Sequence, residues 1–360
     1  MSSELEKGAE LNSAPFSVQL SVVIPTLNEA ATLPHLLADL AAQEGVDLEV
    51  LISDGGSTDG NAKLVDAELA RLGLSGTVLE GVSGRGRQLN RGAAAARGEW
   101  LLFLHADSRL PDPSALSASL ASLLKAGPRV AGHFALRFAP PAGGAKLCYR
   151  YCELKARLDL PGTIHGDQGF LLRTDFFKEL GGFREDLPVL EDTLLAEQIR
   201  ARGVWQLLPA DIITSPRRFE IEGFRQRQTL NALLMNFAMI GWFEPLCRAP
   251  EVYRSQDRVR PLRPAVFYRL VDRLLGELPW SNRLRIWYRT GEFVRGNAWQ
   301  LALWRALRRN RLLHATAATG AVASFRRWYE PLTAHPPGCL LAALLTWLWF
   351  RSRKRRDDVV

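Results

Sequence analysis

The chain has 360 residues, 47% of them hydrophobic and 23% charged, a globular balance that excludes a mostly disordered or collagen-like protein. This length supports a full hydrophobic core, in two domains or in one domain with a large extension, without a disulfide or metal staple. The net charge of +8 is uneven: residues 217–360 hold 26 Lys/Arg against 11 Asp/Glu, which leaves 20 against 27 for residues 1–216.

Only Lys354 among those 26 cations is a lysine, so the second part is rich in arginine, which binds phosphate bidentately. Anionic partners follow: a phosphorylated substrate or an anionic membrane surface, with no nucleic acid expected because no recognition module accompanies the charge. Cys148, Cys152, Cys247 and Cys339 give neither a C-x-x-C pair nor zinc spacing and read as reduced thiols of a cytoplasmic protein. Residues 1–17 read as a disordered lead whose polar, acidic start lacks the features of a secretory signal. The longest apolar run, Cys339–Phe350, has 12 residues, and a spanning helix needs about 20.

Val18–Ile24 is β-branched and apolar and predicts a buried strand stopped by Pro25. From Asn28 a helical period sets Leu33, Leu36, Leu37 and Leu40 on one face. A second strand, Leu48–Ser53, runs into Asp54-Gly55-Gly56-Ser57-Thr58-Asp59-Gly60, and a helix follows to about Leu72. A third strand near Thr77–Gly81 leads to Ser83-Gly84-Arg85-Gly86-Arg87 and a helix over Gln88–Arg97, with Arg91 and Arg97 on a solvated face. A fourth strand, Trp100–Leu104, ends at His105-Ala106-Asp107. Alternating strands and helices predict an α/β fold, a parallel sheet covered on both faces, whose ligands sit at the carboxyl ends of the strands. The first turn lacks G-x-G-x-x-G, and no G-x-x-x-x-G-K-[ST] occurs, which disfavours hydride transfer and P-loop phosphotransfer. Beyond Phe224 the pattern is helical: Gln226–Phe243, Ala265–Leu278 and one long helix, Asn282–Leu313, with a linker or exposed loop over Ala249–Pro264. The expected division is 18–223 for the sheet domain and 224–360 for a helical Arg-rich extension.

Ser21-Val22-Val23-Ile24-Pro25-Thr26-Leu27-Asn28-Glu29, Asp54-Gly55-Gly56-Ser57-Thr58-Asp59, His105-Ala106-Asp107, Gly181-Gly182-Phe183 and Glu191-Asp192 follow in this order. Together they resemble glycosyltransferase family 2, and within it the bacterial subfamily with H-A-D in place of D-x-D. The resemblance covers about residues 18–245. It implies a GT-A fold, a nucleoside-diphosphate sugar donor, a divalent cation (Mg or Mn) and inversion at the anomeric carbon.

Each residue carries two readings. Asp107, just past a buried strand, is a metal ligand or a turn carboxylate. His105 stands where the family commonly has aspartate; histidine binds Mg²⁺ poorly but can contact ribose or phosphate. By resemblance Asp54 binds the base or ribose, and otherwise it closes an Asp-Gly turn. Pro25 and Glu29 would line the same slot, or Glu29 would serve as a first-turn helix charge. Arg85 and Arg87 flank a glycine before a helix start, a place for a diphosphate or for solvated arginines.

Glu191-Asp192 opens a helix, where the dipole keeps a carboxylate ionised; the resemblance makes Asp192 the base that deprotonates the acceptor, against simple capping. Asp167 and Gln168 bind sugar hydroxyls or form a plain turn. Arg217 and Arg218 resemble the terminal Arg-aromatic element of processive members, or are a solvated pair. The expected activity is therefore transfer of a sugar to a hydroxyl acceptor. Transfer to a polyprenyl phosphate and a non-catalytic nucleotide-sugar or membrane-binding protein are the rivals. The apolar run before Arg351–Arg356 is either packed in the core or lies at the inner membrane face.

Overall fold

The structure, a computed structural model, describes residues 18–140, 146–254, 261–310 and 313–356. The expected disordered lead, 1–17, lies outside the described residues. The first half alternates β1 (Val18–Thr26), α1 (Leu33–Ala41), β2 (Leu48–Asp54), α2 (Asn61–Leu72), β3 (Gly76–Glu80), α3 (Arg85–Ala95) and β4 (Gly98–Phe103). Then come α4 (Ala115–Leu124), β5 (Val130–Phe138), α5 (Leu147–Lys155), β6 (Phe170–Arg173), α6 (Thr174–Leu180), α7 (Glu191–Arg202) and β7 (Val204–Thr214). One seven-stranded sheet results, in the order β3-β2-β1-β4-β6-β5-β7, with β6 alone antiparallel to its neighbours. This is the expected α/β arrangement, a mostly parallel sheet flanked by helices.

The period of two decides which side chain faces which helical layer. Leu20, Val22 and Ile24 of β1 join Val50, Ile52 and Leu102 in one core with the α1 leucines. Val23, Leu51, Leu101 and Phe103 point the other way, against Leu89 of α3, Phe176 of α6 and Ile199 of α7. Pro25 does not stop β1, which continues to Thr26. Val23 makes the last pair with β4, so the missing Pro25 N–H falls where no β4 partner remains.

Polar groups tie the strand ends. Buried Glu49 accepts from Ser21 Oγ at 2.7 Å, from the Arg97 N–H at 2.7 Å and from Arg97 Nε at 2.8 Å. Burial raises the Glu49 pKa, but these hydrogen bonds outweigh it and hold the carboxyl below its usual range. Arg91 Nε donates to Ser53 Oγ at 3.1 Å and Arg91 Nη2 to the Asp54 carbonyl at 2.6 Å. Neither arginine lies on a purely solvated face: both long stems fold back onto the carboxylates and carbonyls at the edges of β2.

The second half is helical: α8 (Arg217–Glu222), α9 (Phe224–Ile240), α10 (Glu244–Arg254), α11 (Ala265–Glu277), α12 (Trp280–Gly296), α13 (Trp299–Arg309), α14 (Ala315–Thr333) and α15 (Pro336–Arg356). Two expectations are corrected. The single helix Asn282–Leu313 is broken between α12 and α13 at Asn297-Ala298, where Asn297 Nδ2 bonds the Phe293 carbonyl at 3.0 Å and closes α12. Ala249–Arg254, read as linker, completes α10, whose Leu246 and Ala249 are buried with α9 and α11; residues 255–260 of that stretch lie outside the described residues. Helix α15 packs one face on α12, where a Cβ at Gly291 would meet the Cys339 carbonyl at 2.3 Å, so only glycine permits this approach. No helix among the described residues is long and apolar enough to cross a membrane.

Candidate active site

The carboxyl ends of β1 and β4 open onto a cavity of about 1920 Å³, walled on its other side by the helical half. Pro25 and Glu29 reach it from the end of β1, and His105 and Asp107 from the end of β4. Arg85, Asp167, Gln168 and Asp192 line it next, with Arg217 and Arg218 from α8. Asp54, Arg87 and Glu191 do not line it.

Each of these three has a physical reason. Asp54 Oδ1 accepts from Thr26 Oγ1 at 3.1 Å and Ser57 Oγ at 2.5 Å, and Oδ2 accepts from the Gly56 and Ser57 N–H groups at 2.8 Å each. A carboxylate offers about four acceptor positions, so all are engaged. Burial raises its pKa, but these bonds keep Asp54 below the usual carboxylate range. Asp54 thus holds its own loop. Helix α3 begins at Arg85 rather than Gln88, and the turn of the helix sends Arg85 to the cavity and leaves Arg87 exposed outside it. Glu191 sits behind the wall, buried, with its Oε1 3.4 Å from Arg85 Nε.

Helix α7 presents Asp192. Leu190 before it takes a left-handed backbone, φ 63°, which costs a non-glycine residue about 1–2 kcal/mol and marks a turn fixed by its surroundings. The Gly166 N–H donates to Asp192 Oδ2 at 2.7 Å and the Thr193 N–H to Oδ1 at 2.7 Å. Burial pushes the Asp192 pKa up, but Arg85 foremost, with the Gly166 N–H, holds it below the usual range. A Cβ at Gly166 would lie 2.8 Å from Asp192 Oδ2 and 2.9 Å from His105 Nε2, so both side chains converge on one point.

The surrounding charges are unevenly matched. Burial, then Asp192 and Asp107, raise the Asp167 pKa to about 7, and its Oδ1 has no hydrogen-bond partner. Burial raises Glu191 to about 7 against the pull of Arg85, and neither of its oxygens accepts a hydrogen bond. Burial and Arg85 lower His105 to about 4, which leaves a neutral imidazole. Burial, then Arg227 and Arg85, also lower the pKa of Arg218, the sign of guanidinium groups crowded on one side of the cavity. Gln168 is fully buried and its Nε2 donates to the Thr163 carbonyl at 2.9 Å, which shapes the floor.

The donor set fits a hard divalent cation. Crowded carboxylates with an unmet oxygen favour an added positive charge. Among the described residues no three His, Cys, Asp or Glu side chains form a preformed cage. Mg²⁺ is usually held by one or two carboxylates plus substrate phosphates rather than by an all-protein cage, and Asp107 is placed for that.

Sequence reasoning missed Gln88. Its Nε2 donates to the Thr26 and Ser53 carbonyls at 2.8 Å each, and its Oε1 accepts from the Gly84 N–H at 3.2 Å, clamping the ends of β1 and β2 to the Arg85 turn. Nothing in the sequence separates it from an ordinary helical glutamine.

Glu191 gives a pH prediction. A carboxyl whose folded pKa lies near 7, above an unfolded value of about 4.3, binds its proton more tightly in the fold. Its contribution to stability is therefore present below pH 4 and lost as pH rises to 7. Glu191→Gln should remove that slope, so the variant's Tm gains on the parent's between pH 4.5 and 7.5. Parallel Tm curves across that range would contradict the assignment.

The family model "Glycosyl transferase family 2" matches residues 21–181. A PGL/p-HBAD biosynthesis glycosyltransferase of Mycobacterium bovis (strain BCG / Pasteur 1173P2) is 38% identical over 99 residues, which is 27% of this chain and 38% of that protein. The chain thus spans well under half the length of that relative. An uncharacterized protein of Mycobacterium tuberculosis (strain CDC 1551 / Oshkosh), MT1568, is 26% identical over 265 residues, 67% of this chain and 80% of its own. Among solved structures, mannosyltransferase PcManGT from Pyrobaculum calidifontis, in complex with GDP-Man and Mn2+, aligns with a TM-score of 0.49 at 21% identity over 94% of this chain and 91% of its own. Residues 21–181 are thus similar to glycosyltransferase family 2.

Proposed function

We propose that the protein is an inverting, metal-dependent glycosyltransferase that moves a sugar from a nucleoside-diphosphate donor to a hydroxyl acceptor. The observation that carries this reading is the Asp192 carboxylate, fixed by the Gly166 and Thr193 N–H groups and sharing one cavity with Asp107, Arg85 and Arg218. Asp192 takes the proton of the acceptor hydroxyl as that oxygen attacks the anomeric carbon. The bond to the diphosphate breaks on the opposite face, so the configuration inverts. Arg85 and Arg218 take up the negative charge that develops on the departing nucleoside diphosphate. Asp107 would hold Mg²⁺ or Mn²⁺ together with the donor's phosphate oxygens, and the cation, when bound, supplies Lewis-acid stabilisation of that charge. Pro25 and Glu29 would line the nucleotide end, with Asp54 and Gln88 as positioning residues beneath it. A panel of nucleotide sugars tested by thermal shift with and without Mn²⁺ checks the reading. A fitting donor at 100-fold above its Kd should stabilise the fold by about 2.7 kcal/mol. No shift with any donor would contradict it.

A position at a membrane surface is favoured by α15. Leu340, Leu341, Leu344 and Leu345 on its outer face are each more than half exposed, next to exposed Trp347, Arg351 and Arg353. Such a face suits the boundary between head groups and acyl chains. Lys354 is drawn back to an ion pair with Asp272, so the cationic end is part of the fold as well as of the surface. The parent protein should float with vesicles containing anionic lipid, and Leu341→Glu with Leu345→Glu should abolish flotation. Parent protein left in the pellet fraction at low salt would refute the surface.

A further inference from the structure

Two helix starts face each other beside the cavity. Helix α3 begins at Arg85, and α7 begins at Glu191 and Asp192. A Cβ at Gly86 would lie 2.5 Å from the Arg184 carbonyl, so only glycine lets α3 start this close to that segment. The left-handed Leu190 sets the start of α7. Between the two, Arg85 Nε stands 3.4 Å from Glu191 Oε1, the one ion pair that Arg85 makes among the described residues. The partners differ in setting: the Glu191 side chain is 1% exposed behind the wall, and that of Arg85 is 40% exposed and lines the cavity.

The pair is loosely made. Neither Glu191 oxygen accepts a hydrogen bond, so the guanidinium keeps its donors free for another anion. Arg85 also stands in the field of Asp192, Asp107 and Asp167, with His105 and Arg218 nearby. Around Glu191 the charges are fewer: Arg85 from α3, and Asp192 on its own helix. From α6 and β7, Phe176, Phe177 and Trp205 bring apolar side chains against α7. Arg184 and Glu185, next to the start of α3, are engaged by Asp186 and Asn90. A buried carboxylate that loses such a cation can shed its charge by binding a proton.

We propose that Glu191 is a positioning residue that holds Arg85 at the wall and takes up a proton when a diphosphate draws the guanidinium away. This rests on the reading of Arg85 as a ligand of the donor's diphosphate. A diphosphate can accept two N–H groups of one guanidinium, which Glu191 does not do. The proton comes from solvent, and it removes a buried negative charge from beside the bound phosphates. Glu191 does not line the cavity, so it acts through Arg85 alone. Its pKa is already about 7 with Arg85 in place, so at pH 7 the free protein carries about half a proton there and binding supplies the rest.

Calorimetry on the full chain tests this with uridine diphosphate and guanosine diphosphate, each with Mn²⁺ at pH 7. Repeating each titration in two buffers of different ionisation enthalpy counts the protons exchanged on binding. The parent should take up about half a proton more than Glu191→Gln. Exchange at His105, at Asp167 and on the nucleotide itself is common to both proteins and drops out of the difference. Glu191→Met, an apolar replacement of similar length, should show the same difference and serves if Glu191→Gln does not fold. Arg85→Met, titrated at higher nucleotide concentration, should exchange as many protons as Arg85→Met combined with Glu191→Gln, because Glu191 without its cation keeps its proton throughout. A merely structural Glu191 would change affinity in both backgrounds and the proton count in neither. Equal proton uptake by parent and Glu191→Gln, with a diphosphate bound to both, would overturn the proposal and leave the transferase reading standing. Binding of neither diphosphate by the parent would instead overturn the donor reading, and the proposal with it.

Discussion

Asp192→Asn should lower kcat by about 10²–10⁴ while the donor's Kd stays close to that of the parent. Asparagine keeps the shape of aspartate and offers one oxygen to the Gly166 N–H, while the hydrogen bond from the Thr193 N–H is lost because the amide NH₂ cannot accept it. What it removes is the capacity to take a proton from the acceptor. Because the carboxyl is held ionised by Arg85, the parent has that capacity at neutral pH and the variant lacks it. Steady-state release of nucleoside diphosphate gives kcat, and calorimetry with the donor gives Kd. An unchanged rate would mean that the attacking oxygen is already anionic, and would favour a polyprenyl phosphate over a hydroxyl acceptor.

Asp107→Ala should remove the dependence of donor binding on Mn²⁺. The carboxylate stands past the end of β4 on the cavity wall, close enough to Asp167 to raise its pKa. Donor Kd measured with Mn²⁺ should rise at least tenfold in the variant, and a chelator should bring the parent to the same value. Thermal melting at an unchanged temperature would show that the fold is intact. Equal donor affinity in parent and variant, with chelator acting on neither, would remove Asp107 from the site.

Most of the sheet was legible in the sequence because it depends on local pattern, and so was the gathering of several candidate residues around one cavity. The alternation in Val18–Ile24 and Leu48–Ser53 records two buried faces, and polar residues gathered at strand ends record where a parallel sheet binds ligands. His105 and Asp107 were read from such a strand end, Arg85 from a glycine-flanked helix start and Asp192 from the family resemblance, and all four line the cavity. What depends on the partner across space was not legible. The turn reading of Asp54 was open in the sequence, but that Thr26 reaches it from β1, beside Gly56 and Ser57 of its own loop, was not. Arg97 looked solvated, but a glutamate buried on a neighbouring strand receives it. The helical period through Asn297 is unbroken in sequence, and the Asn297 cap, whose backbone N–H and Nδ2 both reach the Phe293 carbonyl, is seen only in the structure.

The stereochemistry of donor cleavage tests the central claim most directly. An α-linked nucleotide sugar, incubated with the protein and Mn²⁺ with water as the surrogate acceptor, can be followed by proton NMR before the sugar mutarotates. An inverting attack assisted by Asp192 predicts that the β-anomer forms first, at a rate that falls by at least tenfold in Asp192→Asn. First appearance of the α-anomer, or cleavage equally fast in the variant, would contradict the account.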